Sequence, residues 1–362
     1  MSFVLQLRGV AKAFGAQQVL HPISFQLKQG ERVCILGPSG CGKSTLLQIV
    51  AGLLRADSGE VEMDGRTVEN GAQYVPPEKR PLNMVFQDYA LWPHMSVREN
   101  IEYGMKRRKV DLGVRKERLT QLQALLQLEG LLERLPAQLS GGQQQRVGIA
   151  RALATEPKVL LMDEPLSNLD VKLRTDMRNE LANLLGSLSI ATLYVTHDMM
   201  EAFTLADRIL VLREGRIDQL AAPQELFERP ATPWVARLMG YHNRLQVRFT
   251  KEQTGSVILQ DKRINGQLMT HGSDRKAAVI MLQAESLVIR NRTDYEEANQ
   301  IEVTVRQAIY EGARWRLITE TADNQALHVF NEGRIEPGSV LNVFLPPERT
   351  MIYADSPSDA DD

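Results

Sequence analysis

Cysteine is scarce in this 362-residue chain, which carries two, Cys34 and Cys41. Cys34 lies in an apolar run and Cys41 in a glycine-rich turn, and neither stands in a C-x-x-C pair or beside a histidine. That argues against a disulfide framework or a cysteine metal site and fits a reducing compartment. Charge of one sign is missing too. Lys and Arg number 43 against 45 Asp and Glu, a net of −2, so there is no chain-wide basic field for nucleic acid. The one dense basic cluster, Lys106-Arg107-Arg108-Lys109, reads as a solvated helix end or loop, with an anionic lipid head group as the alternative reading. Long hydrophobic runs are absent as well. No apolar stretch reaches the roughly 18–20 residues that span a bilayer. Met1 to Arg8 alternates like a strand and lacks the charged and apolar regions of a secretory leader. The expectation is a soluble chain whose membrane partners, if any, do the spanning.

What is present falls into two patterns. The first stretch reads as short β elements, Val4 to Val10, Val19 to Leu27 and Gly59 to Asp64, broken at Gly15 and Gly30. From Glu31 apolar runs alternate with amphipathic helices. Val33 to Leu36, Val159 to Met162, Ala191 to Val195 and Ile209 to Leu212 are continuous enough to be strands covered on both faces of a parallel sheet. Asp111 to Leu135 has apolar residues at helical spacing (Leu119, Leu122, Leu125, Leu126, Leu132), cut short as a coiled coil by Gly130 and Pro136. Near Glu228 to Pro233 the helical pattern breaks. Beyond Asn243 short alternating segments separated by Gly, Asn and Asp predict a small β-barrel. The expected plan is a first domain over 1–235, a linker at 236–243, a barrel over 244–354 and an acidic disordered tail at 355–362.

The sharpest motif is Gly37-Pro38-Ser39-Gly40-Cys41-Gly42-Lys43-Ser44-Thr45, directly after the strand Val33 to Leu36. It fits G-x-x-x-x-G-K-[ST] between a strand and a helix. Glycines let successive backbone N–H groups curl around phosphate oxygens, and the helix that follows adds its positive end. In such a loop Lys43 reaches the β- and γ-phosphates and the Ser44 hydroxyl holds Mg²⁺. Val159 to Glu164 supplies the acidic partner: Asp163 to ligate or orient Mg²⁺, and Glu164 to act as general base on the attacking water. Taken alone, Asp-Glu at a strand end also reads as a solvated loop.

Between these elements lies Leu139-Ser140-Gly141-Gly142-Gln143-Gln144-Gln145-Arg146. It resembles the signature motif of ABC-type ATPases, and the rest of that family's set follows in order. Gln87 is similar to the Q-loop glutamine, which also contributes to the metal site; Ser167-Asn168-Leu169-Asp170 resembles the D-loop; His197 resembles the switch histidine. Phe14 stands where the family places the aromatic that stacks on adenine. The resemblance covers residues 1 to about 235. It implies an α/β P-loop NTPase fold with a mixed-sheet core, an antiparallel β subdomain and a helical subdomain at about 88–155. It also implies a head-to-tail homodimer in which Ser140, Gly141, Gly142 and Gln143 of one copy face the ATP held by the other, with Asp170 nearby and His197 steadying the water with Glu164.

Tyr89, Leu91, Trp92 and Met95, after Gln87, resemble the segment that receives a coupling helix from the membrane subunit in importers of this family; ordinary core of the helical subdomain is the alternative. The C-terminal segment resembles, more loosely, the OB/TOBE-like accessory domain of importers for maltose, iron, polyamines, sulfate and related solutes. Only Glu285 of Leu282-Gln283-Ala284-Glu285-Ser286 agrees with the run common there. The implied function is an import ATPase on the cytoplasmic face of the membrane, served by two permease subunits (or one fused pair) and an extracytoplasmic solute-binding protein. The overall likeness leans towards ferric iron, polyamine or phosphonate as solute. A soluble ABC ATPase with a non-transport role is the competing reading, against which stand a single cassette, a short helical insert and no basic stripe.

Overall fold

The computed structural model describes residues 3–167, 169–250, 255–269, 277–290 and 298–354. Asn168 of the expected D-loop and the tail 355–362 lie outside them. The chain divides into two compact units, Met1–Pro223 and Gln224–Asp362.

In the first unit the apolar runs become the centre of a six-stranded sheet. Its order is Arg216–Ala221, Arg208–Arg213, Arg32–Leu36, Ala191–Thr196, Val159–Asp163, Leu82–Val85. All neighbours are parallel except the first pair, an antiparallel hairpin. The central strands are buried along almost their whole length, as a sheet covered on both faces requires. A four-stranded antiparallel sheet, in the order Gln17–Lys28, Phe3–Phe14, Ser58–Met63, Arg66–Glu69, shares one apolar core with it. Its first two strands run longer than the sequence pattern suggests, because register shifts along their pairing carry the hairpin past Gly9 to Phe14 and Gln17.

The helical part holds Val97–Arg107, Leu112–Leu125 and Gly141–Leu153. The helix expected to run on towards Leu135 stops at Leu125, since Gln127 and Gly130 both take positive φ. The basic cluster is the solvated end of Val97–Arg107: Lys106 pairs with Glu102 one turn back, and Arg108 donates to the Thr155 carbonyl. Among the described residues no helix is long and apolar enough to cross a membrane.

The second unit is all-β over most of its length and builds two sheets on a common core of Leu245, Ile280, Val303, Leu327, Val343 and Ile352. The expected OB/TOBE-like domain is therefore present, with antiparallel pairing except where Gln267–Leu268 runs parallel to Met351–Ala354. Residues 224–243 belong to this unit, ahead of the expected boundary at 235. Two buried tyrosines explain it: Tyr241 donates to the Phe227 carbonyl and Tyr353 to that of Pro230.

Candidate active site

The phosphate loop sits where the central strand Arg32–Leu36 gives way to the helix Lys43–Ala51. Gly37 is fixed by close approach, because a Cβ there would meet the Leu212 carbonyl oxygen at 2.2 Å. Gly42 has φ 103° and would press a Cβ onto Leu20 at 2.6 Å. With glycine as its N-cap the helix has no side-chain cap and no acidic residue in its first turn. Its leading N–H groups, normally satisfied by a cap, are open to an anion, and the helix dipole favours one. Lys43 is buried and donates to the loop's own carbonyls, Gly37 at 2.8 Å and Pro38 at 2.9 Å. Its ammonium is therefore already folded over the loop.

A cleft of about 290 Å³ opens here, lined by Ser39, Gly40, Gly42, Lys43, Ser44, Thr45, Glu164 and Val19. Pro38 is exposed and is not among the lining residues. Cys41 contributes no side chain: its thiol is buried beneath the loop, where burial raises its pKa. Ser44 Oγ donates to Asp163 Oδ1 at 3.4 Å. Burial first, then the neighbouring Glu164, hold the Asp163 carboxyl above its usual range, with the Ser44 bond and Lys43 opposing. Glu164 takes φ 43°, uncommon for a residue with a side chain, and its N–H is tied to the Val195 carbonyl. This turn brings Glu164 Oε2 within 3.1 Å of His197 Nδ1. Residues from four parts of the sequence (39–45, 163–164, 197 and Val19) thus meet at one end of the parallel strands, where open α/β sheets hold ligands. Val19 was not foreseeable, since only the pairing of the two long N-terminal strands brings it there.

The remaining sequence candidates fall elsewhere. Phe14 is half exposed at the end of its strand, with the Lys12 ammonium 5.4 Å from its ring centroid; it does not line the phosphate cleft. Gln87 is exposed just after the strand Leu82–Val85, and Asp170 is exposed ahead of the helix Val171–Ser187. Ser140 caps the helix Gly141–Leu153 with a full capping box: its Oγ accepts from Gln143 N–H, and Gln143 Oε1 accepts from Ser140 N–H at 3.0 Å. The hydroxyl expected to point at a phosphate is here engaged by its own helix. Gly141 lies against Leu169 of the D-loop, 3.4 Å from an added Cβ.

Tyr89 corrects the docking set. It is buried, with its backbone beside Gly148 of that same helix, while its carbonyl and that of Ala90 accept from Arg151. Tyr89 and Ala90 both have positive φ, and this bend turns the tyrosine ring inwards. Leu91, Trp92 and Met95 stay partly exposed. Trp92 packs at a tilt against Tyr103, with ring centroids 4.4 Å apart, and the Arg151 guanidinium lies 4.8 Å over its ring.

Comparison with known proteins gives the family. The ABC transporter family matches residues 20–167. The chain is 40% identical over 315 residues to the spermidine/putrescine import ATP-binding protein PotA of Haemophilus influenzae, covering 85% of this chain and 83% of that one. The protein of the same name from Bacillus anthracis is 46% identical over 243 residues, 67% of this chain and 73% of the relative. The chain belongs to the ABC importer ATPases. An ABC importer ATPase binds ATP and couples its hydrolysis to transport, and in this chain the phosphate loop and Glu164 line one cleft around Lys43.

Proposed function

We propose that the cleft binds ATP with Lys43 on its β- and γ-phosphates, and that two copies close head to tail over two such nucleotides. The observation that carries this reading is the pairing of Glu164 with His197 at 3.1 Å beside the phosphate loop. Glu164 accepts a proton from the attacking water, and His197 fixes its carboxylate and the water between them. The Ser44 hydroxyl and Asp163 carboxylate are hard oxygen donors already adjacent, a set that suits Mg²⁺, with Gln87 as a further donor. Ser44, Asp163 and Gln87 would hold Mg²⁺, which would supply positive charge against the phosphate oxygens. Burial and the neighbouring Glu164 raise the Asp163 pKa, and a cation bound there would favour its charged form.

Ser140, Gly141, Gly142 and Gln143 face the partner copy's γ-phosphate, with the Ser140 cap exchanged or shared on closure, and Asp170 lies at the same seam. Hydrolysis removes the γ-phosphate that joins the two chains, so the closed state loses its differential binding. Leu91, Trp92 and Met95 receive a helix from a permease subunit, and the complex is completed by two permease subunits or a fused pair and an extracytoplasmic solute-binding protein. The chain itself then sits at the cytoplasmic face of the membrane. The relatives' names favour a polyamine of the spermidine or putrescine class over ferric iron or phosphonate.

Glu164→Gln tests the chemistry. It should lower ATP turnover by about 10²–10⁴-fold while leaving ATP binding intact; turnover at the parental rate removes Glu164 as the base. Deleting the gene and measuring uptake tests the solute: spermidine and putrescine uptake should fall while ferric iron and phosphonate uptake hold. Unchanged polyamine uptake sinks that assignment.

A further inference from the structure

Behind His197 lies a carboxylate that the reaction above does not use. Glu201, on the short helix Met199–Leu205, is 3% exposed. Its Oε2 accepts from two hydroxyls, Tyr194 and Thr196, each at 2.8 Å. Thr196 ends the strand Ala191–Thr196 and immediately precedes His197. Its Oγ1 also accepts from Asp198 N–H at 2.9 Å, and Asp198 Oδ1 in turn caps the helix by accepting from Met200 and Glu201 N–H. Of the two residues flanking His197, Thr196 is thus tied directly to the buried carboxylate, while Asp198 reaches it through the Thr196 hydroxyl and holds Glu201 by its backbone N–H.

His197 itself is exposed, and the contact with Glu164 is its one hydrogen bond among the described side chains. Its position is consequently set by the turn that carries it. A buried carboxylate is costly, and a well-packed apolar residue serves stability as well or better. Glu201 also lies near the positive charge of Arg174, whose guanidinium holds the Ser167 and Leu169 carbonyls of the D-loop.

We propose that Glu201 is a positioning residue for hydrolysis, holding the Thr196–Asp198 turn so that His197 meets Glu164 and the attacking water. This rests on the reading of His197 given above, and it assigns Glu201 no contact with nucleotide. Its effect should therefore pass through His197 alone.

A double-mutant cycle on the full chain reads this directly. Steady-state kcat and KM for ATP are measured for the parent, Glu201→Ala, Glu201→Gln, His197→Ala and the Glu201→Ala/His197→Ala pair. Glu201→Ala should lower kcat by about tenfold or more with KM within about twofold, since ground-state binding is untouched. Glu201→Gln, which can still accept from both hydroxyls, should keep most of the rate. In the His197→Ala background Glu201→Ala should cost nothing further. Thr196→Val, which removes the linking hydroxyl at nearly constant size, should reproduce both the loss and its disappearance in the His197→Ala background, and it carries the test if Glu201→Ala fails to fold. Losses at 201 and 197 that multiply overturn the proposal, because a general packing defect acts equally in both backgrounds. His197→Ala turning over ATP at the parental rate overturns the histidine reading first, and this inference with it.

Discussion

Two helices in the first unit begin at places where a phosphate is expected, and they begin differently. Lys43–Ala51 starts from a left-handed glycine with no side-chain cap, so its leading N–H groups are open. Gly141–Leu153 starts from Ser140 and a completed capping box, so its N-terminal bonds are already made. The first end is prepared for an anion within one chain. The second satisfies itself until something better is brought to it, as expected if its ligand belongs to another copy. An uncapped helix start is tolerable where a ligand completes it, and a capped one needs no ligand to satisfy it.

Breaking the first end should have the largest effect. Lys43→Ala removes the one side-chain ammonium among the described residues that line the cleft, and ATP should then give no thermal shift; a shift of parental size contradicts the assignment. Next comes the acidic edge of the same cleft. Asp163 has a folded-state pKa raised by burial and by Glu164. A carboxyl of that kind costs stability as pH rises from its unfolded value through its folded one, because the fold resists ionising it. Asp163→Asn should therefore abolish Mg²⁺-dependent hydrolysis yet raise the melting temperature at neutral pH without nucleotide. That gain should shrink towards acid pH, where the parent is protonated too. A melting temperature lowered at neutral pH contradicts it.

The capped end should respond more gently. Ser140→Ala should cost about 1 kcal/mol of stability, the usual worth of an N-cap, and leave ATP binding to a single chain unchanged. If ATP affinity of the isolated chain falls with it, the two ends are not separate sites. Trp92→Ala should have the smallest effect on the enzyme: soluble ATPase activity stays, while recovery of permease subunits on co-purification drops. Normal recovery removes Trp92 from the docking surface.

The contrast between the two ends also marks what the sequence could convey. The phosphate loop was legible because its chemistry is local: glycines, a lysine and a hydroxyl in nine consecutive residues between a strand and a helix. The alternation of apolar runs with helices gave the parallel core for the same reason. Ser140 was legible as a helix start, and its spacing to Gln143 is that of the capping box that engages its hydroxyl. Tyr89 was expected in a docking groove, with ordinary core as the alternative, and two consecutive positive φ values with the Arg151 clamp go with its burial. Val19 entered the cleft, and Glu201 came to stand behind His197, only through strand pairing and packing distant from any motif.

The central claim is that one nucleotide lies between the phosphate loop of one copy and the signature helix of another. Its most direct test is a chain carrying Glu164→Gln with Ser39→Cys and Ser140→Cys, oxidised with and without ATP and Mg²⁺. A disulfide joining residue 39 of one copy to residue 140 of another should form strongly only with ATP. No such link, or one that forms equally without nucleotide, contradicts the account.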